Sequence, residues 1–129
     1  GLGFGMACAL AAYGANVVIT ARTARKVEDA VADLNENYCK GGRAFGIPAD
    51  SSKAENVKMV VEKTVEEFGA LDILINNAGM ALSAPFGETT LAQYDQIMRL
   101  NARAPFALCL ASAALSALLR VFFAILLAG

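Results

Sequence analysis

The chain has 129 residues, of which 57% are hydrophobic and 18% are charged. Its 11 basic and 12 acidic residues give a net charge of −1 without a basic block, which argues against a nucleic-acid-binding protein. Three cysteines without a CxxC pair, and no histidine, support neither a disulfide framework nor a metal site. This cysteine usage fits a reducing, cytoplasmic location.

The first part of the chain alternates predicted helices and strands. The run rich in Ala, Met and Leu at 4–13 predicts a tightly packed helix that Gly14 ends. NVVIT (16–20) predicts a short buried strand, and apolar residues at helical spacing within 23–38 predict an amphipathic helix. RAFGIPAD (43–50) is a second strand candidate, although its glycine and proline weaken the pattern.

The middle of the chain continues this alternation. SKAE (52–55) has the pattern of a capping box, and the valines that follow it at helical spacing predict a helix that ends at Gly69. LDILI (71–75) predicts a third strand, and NNAG (76–79) predicts a turn directly after it.

A second capping-box pattern, TLAQ (90–93), predicts a helix that continues past Leu100 and bends at Pro105. Helices that alternate with short apolar strands imply βαβ crossovers and a mainly parallel sheet with helices on both faces. We therefore predict an α/β fold with a doubly wound parallel sheet, formed by one domain without repeats or linkers.

The segment after Phe106, ALCLASAALSALLRVFFAILLAG, carries one charge, Arg120. Arg120 divides this apolar run unequally, and an arginine near the centre of a bilayer is costly. We expect a buried helix followed by a strand in VFFAILLAG (121–129) rather than a membrane-inserted helix.

The glycines that open the chain pose the first functional question. Gly1 and Gly3 stand directly before the predicted helix, where free backbone N–H groups and the helix dipole favour a phosphate. On their own, two glycines are as typical of close helix packing as of phosphate binding. Arg22, at the end of the following strand, lies where a dinucleotide site places its ribose-reading residue, which favours the phosphate interpretation.

Five features in order resemble the N-terminal half of a short-chain dehydrogenase/reductase: Gly1-Leu2-Gly3, ALAAYGANVVITAR (9–22), Asp50, NNAG (76–79), and Asn101 in RLNARAPF. The resemblance implies a Rossmann-type fold and hydride transfer between NAD(P) and a carbonyl or alcohol. It also implies that residues 1–129 are a single partial NAD(P)-binding domain, truncated at both ends.

The resemblance also says what the partial domain should lack. Gly1 and Gly3 match the last two glycines of the family's Thr-Gly-x-x-x-Gly-x-Gly loop, so we expect the first strand and the C-terminal half to be missing. The chain begins without Met and without a charged leader before an apolar stretch, and we expect a truncated or processed start. Loss of the first strand should leave a gap in the sheet between 17–19 and 73–75.

The resemblance implies roles for the cofactor-side residues. Arg22 matches the cation that NADP-preferring relatives place at the 2′-phosphate, and Ala21 leaves no carboxylate for an NAD ribose, so we expect NADP rather than NAD. The alternative is that Arg22 and Arg25 only solvate a helix start. Asp50 matches the residue that bonds the adenine amino group; the alternative is a charge at the start of a helix. The remaining implied contacts are Gly1, Leu2, Gly3, Asn77, Ala78 and Gly79.

Asn101 matches the family's catalytic Asn, which helps to hold a water in the proton relay. The alternative is a helical Asn that satisfies only its own backbone. The family's Ser and Tyr-x-x-x-Lys are not found, because Tyr13, Tyr38 and Tyr94 are not followed by Lys at the fourth position. We therefore expect the chain by itself to be inactive.

We interpret the chain as part of an NADP-preferring oxidoreductase that acts on a small carbonyl or alcohol and, by resemblance, forms a homo-oligomer. Two alternatives remain open. One is a non-catalytic nucleotide-binding or subunit-interaction module that has lost the Ser and Tyr/Lys chemistry. The other is a membrane-attached helical protein.

Overall fold

A computed structural model describes residues 1–115 and the backbone of 124–126. In this part of the chain, helices flank a parallel sheet with the strand order β2-β1-β3. The strands are β1 (Val17–Ala21), β2 (Ala44–Pro48) and β3 (Ala124–Leu126). The α-helices are α1 (Leu2–Ala12), α2 (Ala24–Asp33), α3 (Ala54–Phe68), α4 (Leu91–Met98) and α5 (Ala104–Leu115).

The sheet carries helices on both faces, as predicted. Every residue of β1 is buried, and successive side chains point to opposite faces. Ile19 packs in one cluster with Ala7 and Ala11 of α1, whereas Val18 packs in another with Val60 of α3. The doubly wound α/β prediction is confirmed.

The first two predicted helices are confirmed. Ala7 and Ala11 of α1 are fully buried, because alanine lets the helix approach the sheet closely. Past the end of α1, Gly14 has φ +87°, a conformation that side chains disfavour. The helical backbone continues beyond α2 as a π-helical turn, Leu34–Tyr38, and Asn35 there exchanges two hydrogen bonds with the backbone of Ala44 at the start of β2.

The capping box predicted at 52–55 is wrong, although the helix after it is confirmed. Lys53 is the N-cap of α3, and no side chain caps this helix. The Ser52 hydroxyl instead donates to Asp50 Oδ1 at 2.7 Å, because an ionised carboxylate is a stronger acceptor than the alternatives nearby. The helix ends at Gly69, as predicted, with φ +77°.

The third strand predicted at 71–75 is also wrong. Within this segment only Ile75 forms a single bridge, and the flanking residues have no regular structure. The turn predicted at NNAG (76–79) is likewise not formed. A strand needs a neighbour for its backbone groups, and β1 already uses both edges, for β2 and β3. The gap expected beside 17–19 is therefore occupied, since Val18, Ile19 and Thr20 pair with β3.

The predicted helix after 90–93 is confirmed, including its cap. The Thr90 hydroxyl accepts from the Gln93 N–H, and the Gln93 side chain accepts from the Thr90 N–H. A π-helical turn, Arg99–Arg103, separates α4 from α5. Pro105 has no N–H for the carbonyl four residues earlier, so the irregular turn lies where a bend was predicted.

The apolar segment after Phe106 is described only in part. Residues up to Leu115 complete α5, which packs on α3 through Leu108, and β3 lies inside the predicted strand at 121–129. The predictions for the other residues of the segment lie outside the described residues. Within 1–115 and 124–126, no helix combines the length and apolarity needed to cross a bilayer.

Candidate cofactor-binding site

A cavity of about 460 Å³, here called cavity A, lies beside the ends of β1 and β2. Its lining comes from Arg22 directly after β1, from the loop after β2, from residues 78–80, and from α4 with the π-helical turn that follows it. The lining residues used below are Arg22, Asp50, Ser52, Gly79, Met80 and Arg99.

A second cavity of about 250 Å³, cavity B, lies at the start of α1. Ala21 and Asn77 line cavity B, whereas the next residues in the chain, Arg22 and Ala78, line cavity A. The two cavities are therefore lined by residues that adjoin in the chain at two places, and they are together called the groove here. Cavity B is completed by Gly1, Leu2, Gly3, Phe4, Lys26 and Ala30.

The start of α1 gives cavity B the properties of an anion site. Gly1 is the N-cap, and the first intrahelical bond runs from the Gly5 N–H to the Gly1 carbonyl at 3.2 Å. The N–H groups of the first turn before Gly5 have no intrahelical acceptor, and no side chain caps them. These N–H groups, the helix dipole and the Lys26 side chain all favour negative charge here.

Asp50 presents a preoriented carboxylate to cavity A. Its Oδ1 accepts hydrogen bonds from the Ser52 N–H at 3.0 Å and from the Ser52 hydroxyl at 2.7 Å. The Ser52 hydroxyl bond lowers the pKa of Asp50, with smaller contributions from Lys53 and Arg22, while partial burial opposes the shift. Asp50 is therefore an anion at neutral pH, and Oδ2 has no hydrogen bond to another described residue.

Arg22 extends from the end of β1 into solvent beside cavity A. Its guanidinium takes part in no ion pair among the described residues. By contrast, Arg25, three residues later in the chain, pairs with Asp29, with 3.9 Å between Nε and Oδ2. The residue before Arg22 is Ala21, which is 4% exposed and brings no carboxylate to this edge of the sheet.

Asn101 lies in the π-helical turn and fixes the backbone of Met80. Its Nδ2 donates to the Met80 carbonyl at 2.7 Å, and its Oδ1 accepts from the Met80 N–H at 2.9 Å. A Cβ added to Gly79 would lie 3.4 Å from Asn101 Oδ1, which is an ordinary van der Waals contact, so Gly79 and Asn101 are neighbours here. The interpretation in which Asn101 satisfies only its own backbone is therefore wrong.

The structure brings the sequence-predicted residues to one groove. Arg22, Asp50, Ala78 and Gly79 line cavity A, and Gly1, Leu2, Gly3 and Asn77 line cavity B. Asn101 lines neither cavity and contacts the groove through Met80. In the described part of the chain, no cluster of acidic and cysteine side chains could hold a metal ion.

Sequence reasoning missed Lys26 and Arg99. Ala92, Gln96 and Arg99 are spaced so that they share one face of a helix, but the sequence does not say which face points to the groove.

A family model described as short chain dehydrogenase matches residues 1–119. The chain belongs to the short-chain dehydrogenase/reductase family. This finding supports the resemblance identified from the sequence and agrees with the parallel sheet and its flanking helices.

Individual relatives of the short-chain dehydrogenase/reductase family agree with this assignment. The chain is 38% identical over 106 residues to a hydroxynaphthalene reductase-like protein, Arp2, from Metarhizium guizhouense, covering 82% of this chain and 39% of that protein. Its fold is similar to that of a short-chain dehydrogenase/reductase variant from Serratia marcescens, with a TM-score of 0.81 and 31% identity over 88% of this chain and 46% of the other.

A third similar protein is a short-chain dehydrogenase from Burkholderia cenocepacia, solved in complex with NADP. The TM-score is 0.77 and the identity 36%, over 86% of this chain and 45% of that one. The chain thus spans less than half the length of each of these short-chain dehydrogenases/reductases.

Proposed function

We propose that the chain forms the cofactor-binding part of an NADP-preferring short-chain oxidoreductase. The parent reaction is hydride transfer between NAD(P)(H) and a small carbonyl or alcohol. The NADP complex of the similar Burkholderia protein supports this choice of cofactor. In this proposal residues 1–129 are one partial NAD(P)-binding domain of a cytoplasmic enzyme.

The groove fits a dinucleotide in size and in the chemistry of its lining. Cavity A alone is about 460 Å³, within the range typical of small-molecule sites. The N–H groups at Leu2 and Gly3 would hold the diphosphate in cavity B, where no side chain competes as a helix cap. The free Oδ2 of Asp50 would accept from the adenine amino group, while Ala78 and Gly79 would lie against the adenosine.

The observation that carries the cofactor preference is the position of Arg22. It lines cavity A, forms no ion pair with a described residue and follows Ala21 rather than an acidic residue. A guanidinium binds a phosphate through two parallel hydrogen bonds, whereas an NAD ribose needs a carboxylate to accept from its hydroxyls. The lining therefore favours NADP over NAD.

Asn101 has a catalytic role in this proposal, which rests on the resemblance to the family pattern. Bound nicotinamide supplies the hydride chemistry. Asn101 holds the backbone of Met80 next to the NNAG segment, and its place in the family pattern assigns it to the water of the proton relay. No Tyr in these 129 residues precedes a Lys by four positions, so the chain by itself should bind cofactor without turnover.

A non-catalytic nucleotide-binding module is the second candidate, because the residues that line the groove are all assigned to binding the dinucleotide rather than to chemistry. Both candidates require dinucleotide binding, and they differ in whether a longer form of the protein catalyses hydride transfer. Association into a homo-oligomer is proposed for the parent enzyme; the exposed Phe106 and Leu110 on α5 offer an apolar surface for it.

The proposed cofactor preference is tested by the variant Arg22→Ala in the 129-residue chain. We expect its dissociation constant for NADPH to rise by about tenfold, because a charge-assisted bond to phosphate is lost, and its constant for NADH to change little. Fluorescence titrations with NADPH and with NADH measure the two dissociation constants.

Arg25→Ala is the matched control for Arg22→Ala. It removes the same charge three residues later in the chain, from a side chain that lines neither cavity. Equal effects of the two substitutions on NADPH binding would show that Arg22 contributes only to the general charge of the surface, and the NADP preference would be wrong.

A further inference from the structure

A second arginine lines cavity A from the side of α4. Arg99 begins the π-helical turn after α4, and Gln96 and Ala92 on the same helical face also line the cavity. Like Arg22, Arg99 is exposed and takes part in no ion pair among the described residues. By contrast, Arg43 pairs with Glu67.

The charges around cavity A do not balance. Two guanidinium groups, of Arg22 and Arg99, face one carboxylate, that of Asp50. The Asp50 carboxylate already accepts two hydrogen bonds from Ser52, and within the lining of cavity A it leaves at least one positive charge unbalanced. Asp95, one helical turn before Arg99, lines a different cavity with Arg99, and the two form no ion pair in the described part of the chain. An anionic group is the ligand chemistry that such a lining favours.

We propose that Arg99 is a second phosphate-binding cation of cavity A, which binds the 2′-phosphate of the dinucleotide together with Arg22. This proposal rests on the proposed function and adds a specificity-determining residue to it. A phosphate monoester carries a charge of about −1.5 to −2 at pH 7, more than one guanidinium neutralises. Arg99 supplies the second positive charge, from an element distant in sequence.

The test uses the adenosine end of the cofactor alone. The full 129-residue chain is titrated with adenosine 2′,5′-bisphosphate and with 5′-AMP, which lacks the 2′-phosphate. We expect Arg99→Ala to weaken binding of the bisphosphate by about fivefold, as for an exposed charge-assisted contact, and to leave AMP binding unchanged. Arg99→Lys keeps the charge but loses the paired hydrogen bonds of a guanidinium, and it should recover only part of the affinity.

Arg103→Ala is the matched control. Arg103 ends the same π-helical turn and carries the same charge, but it does not line cavity A. It lines a different cavity together with Phe106, and Arg99 lines that second cavity as well. Arg103→Ala should leave bisphosphate binding unchanged. Thermal unfolding of each variant, followed by circular dichroism, identifies any loss of affinity that comes from loss of the fold.

The outcomes separate the two proposals. If Arg99→Ala leaves both affinities unchanged, or weakens both equally as expected for stacking on adenine, the role of Arg99 is overturned. The proposed function then still stands, provided that the unsubstituted chain prefers the bisphosphate. If the unsubstituted chain binds both ligands equally or neither, the proposed function and the role of Arg99 both fail.

Discussion

The carboxylate of Asp50 shows how one neighbouring residue prepares a binding group. Ser52 supplies two donors to Oδ1 from its backbone and its hydroxyl, and the loop is held further by the Asn56 side chain, which donates to the Asp50 carbonyl. These contacts leave Oδ2 to face a ligand. They also replace the capping role that the sequence suggested for Ser52.

This arrangement predicts that Ser52→Ala raises the pKa of Asp50, because its largest lowering contribution is lost. The pKa of Asp50 is lower in the folded state than in the unfolded chain, so its contribution to stability is present above about pH 4 and is lost as the pH falls through the folded pKa. Ser52→Ala should therefore reduce the stability at neutral pH and have a smaller effect in acid.

Carboxyl-carbon NMR titration measures the pKa of Asp50 in the two proteins, and urea unfolding at neutral and acid pH measures the stability. Ser83→Ala, at an exposed serine distant in sequence from this loop, is the control. An Asp50 pKa that is the same in Ser52→Ala as in the parent would show that the Ser52 hydroxyl does not determine the charge of this site.

Residue types and their order were sufficient to predict that Arg22, Asp50 and Gly79 lie at one edge of the sheet, because these residues follow apolar strand-like segments. Arg99 could not be predicted in this way. Its participation depends on which face of α4 points to the groove, and this face is fixed by packing that joins residues far apart in sequence.

At the scale of elements, the ends of helices show where local signals suffice. The Thr90 box at α4 and the left-handed Gly69 at the end of α3 depend on residues within a single turn, and both were predicted correctly. The segment at 71–75 differs, because a strand exists only when another strand supplies its partners. Its composition is typical of a strand, but no free edge of β1 remains for it.

Two glycine substitutions test the account of the helix ends. A Cβ at Gly69 or at Gly5 would meet no atom within 4 Å, so steric contact does not distinguish them. Gly69 has φ +77°, whereas Gly5 lies inside α1. We expect Gly69→Ala to lower the free energy of unfolding by about 1 kcal/mol and Gly5→Ala to raise it by about 0.5–1 kcal/mol.

Urea unfolding of the two variants beside the parent chain measures both changes. Gly5 lines neither cavity, so its substitution also serves as a control that should leave nucleotide binding intact. A Gly69→Ala chain as stable as the parent would contradict the assignment of a left-handed helix end at this residue.

At the scale of the whole molecule, the parallel sheet determines where the groove lies. Carboxyl ends of parallel strands meet at one edge of a sheet, which brings Arg22 after β1 and Asp50 after β2 to the same cavity. The start of α1 and the segment after 71–75 complete the groove. The alternation of helices and strands was therefore enough to predict the fold class and the edge of the sheet at which the groove lies.

The order of the strands is the part of the architecture that the sequence did not reveal. A gap was expected beside β1, and the structure instead pairs this edge with β3, from the other end of the described chain. The pairing joins residues more than 100 positions apart, such as Ile19 and Ile125, and no local pattern specifies such a contact.

The most direct test of the account is a backbone NMR titration of the 129-residue chain with NADPH. We predict saturable shifts at the amides that line the two cavities, in particular at Gly3, Arg22, Asp50 and Gly79, and weaker binding of NADH under the same conditions. An absence of shifts, or shifts confined to the exposed face of α5, would contradict the assignment of this groove as a dinucleotide site.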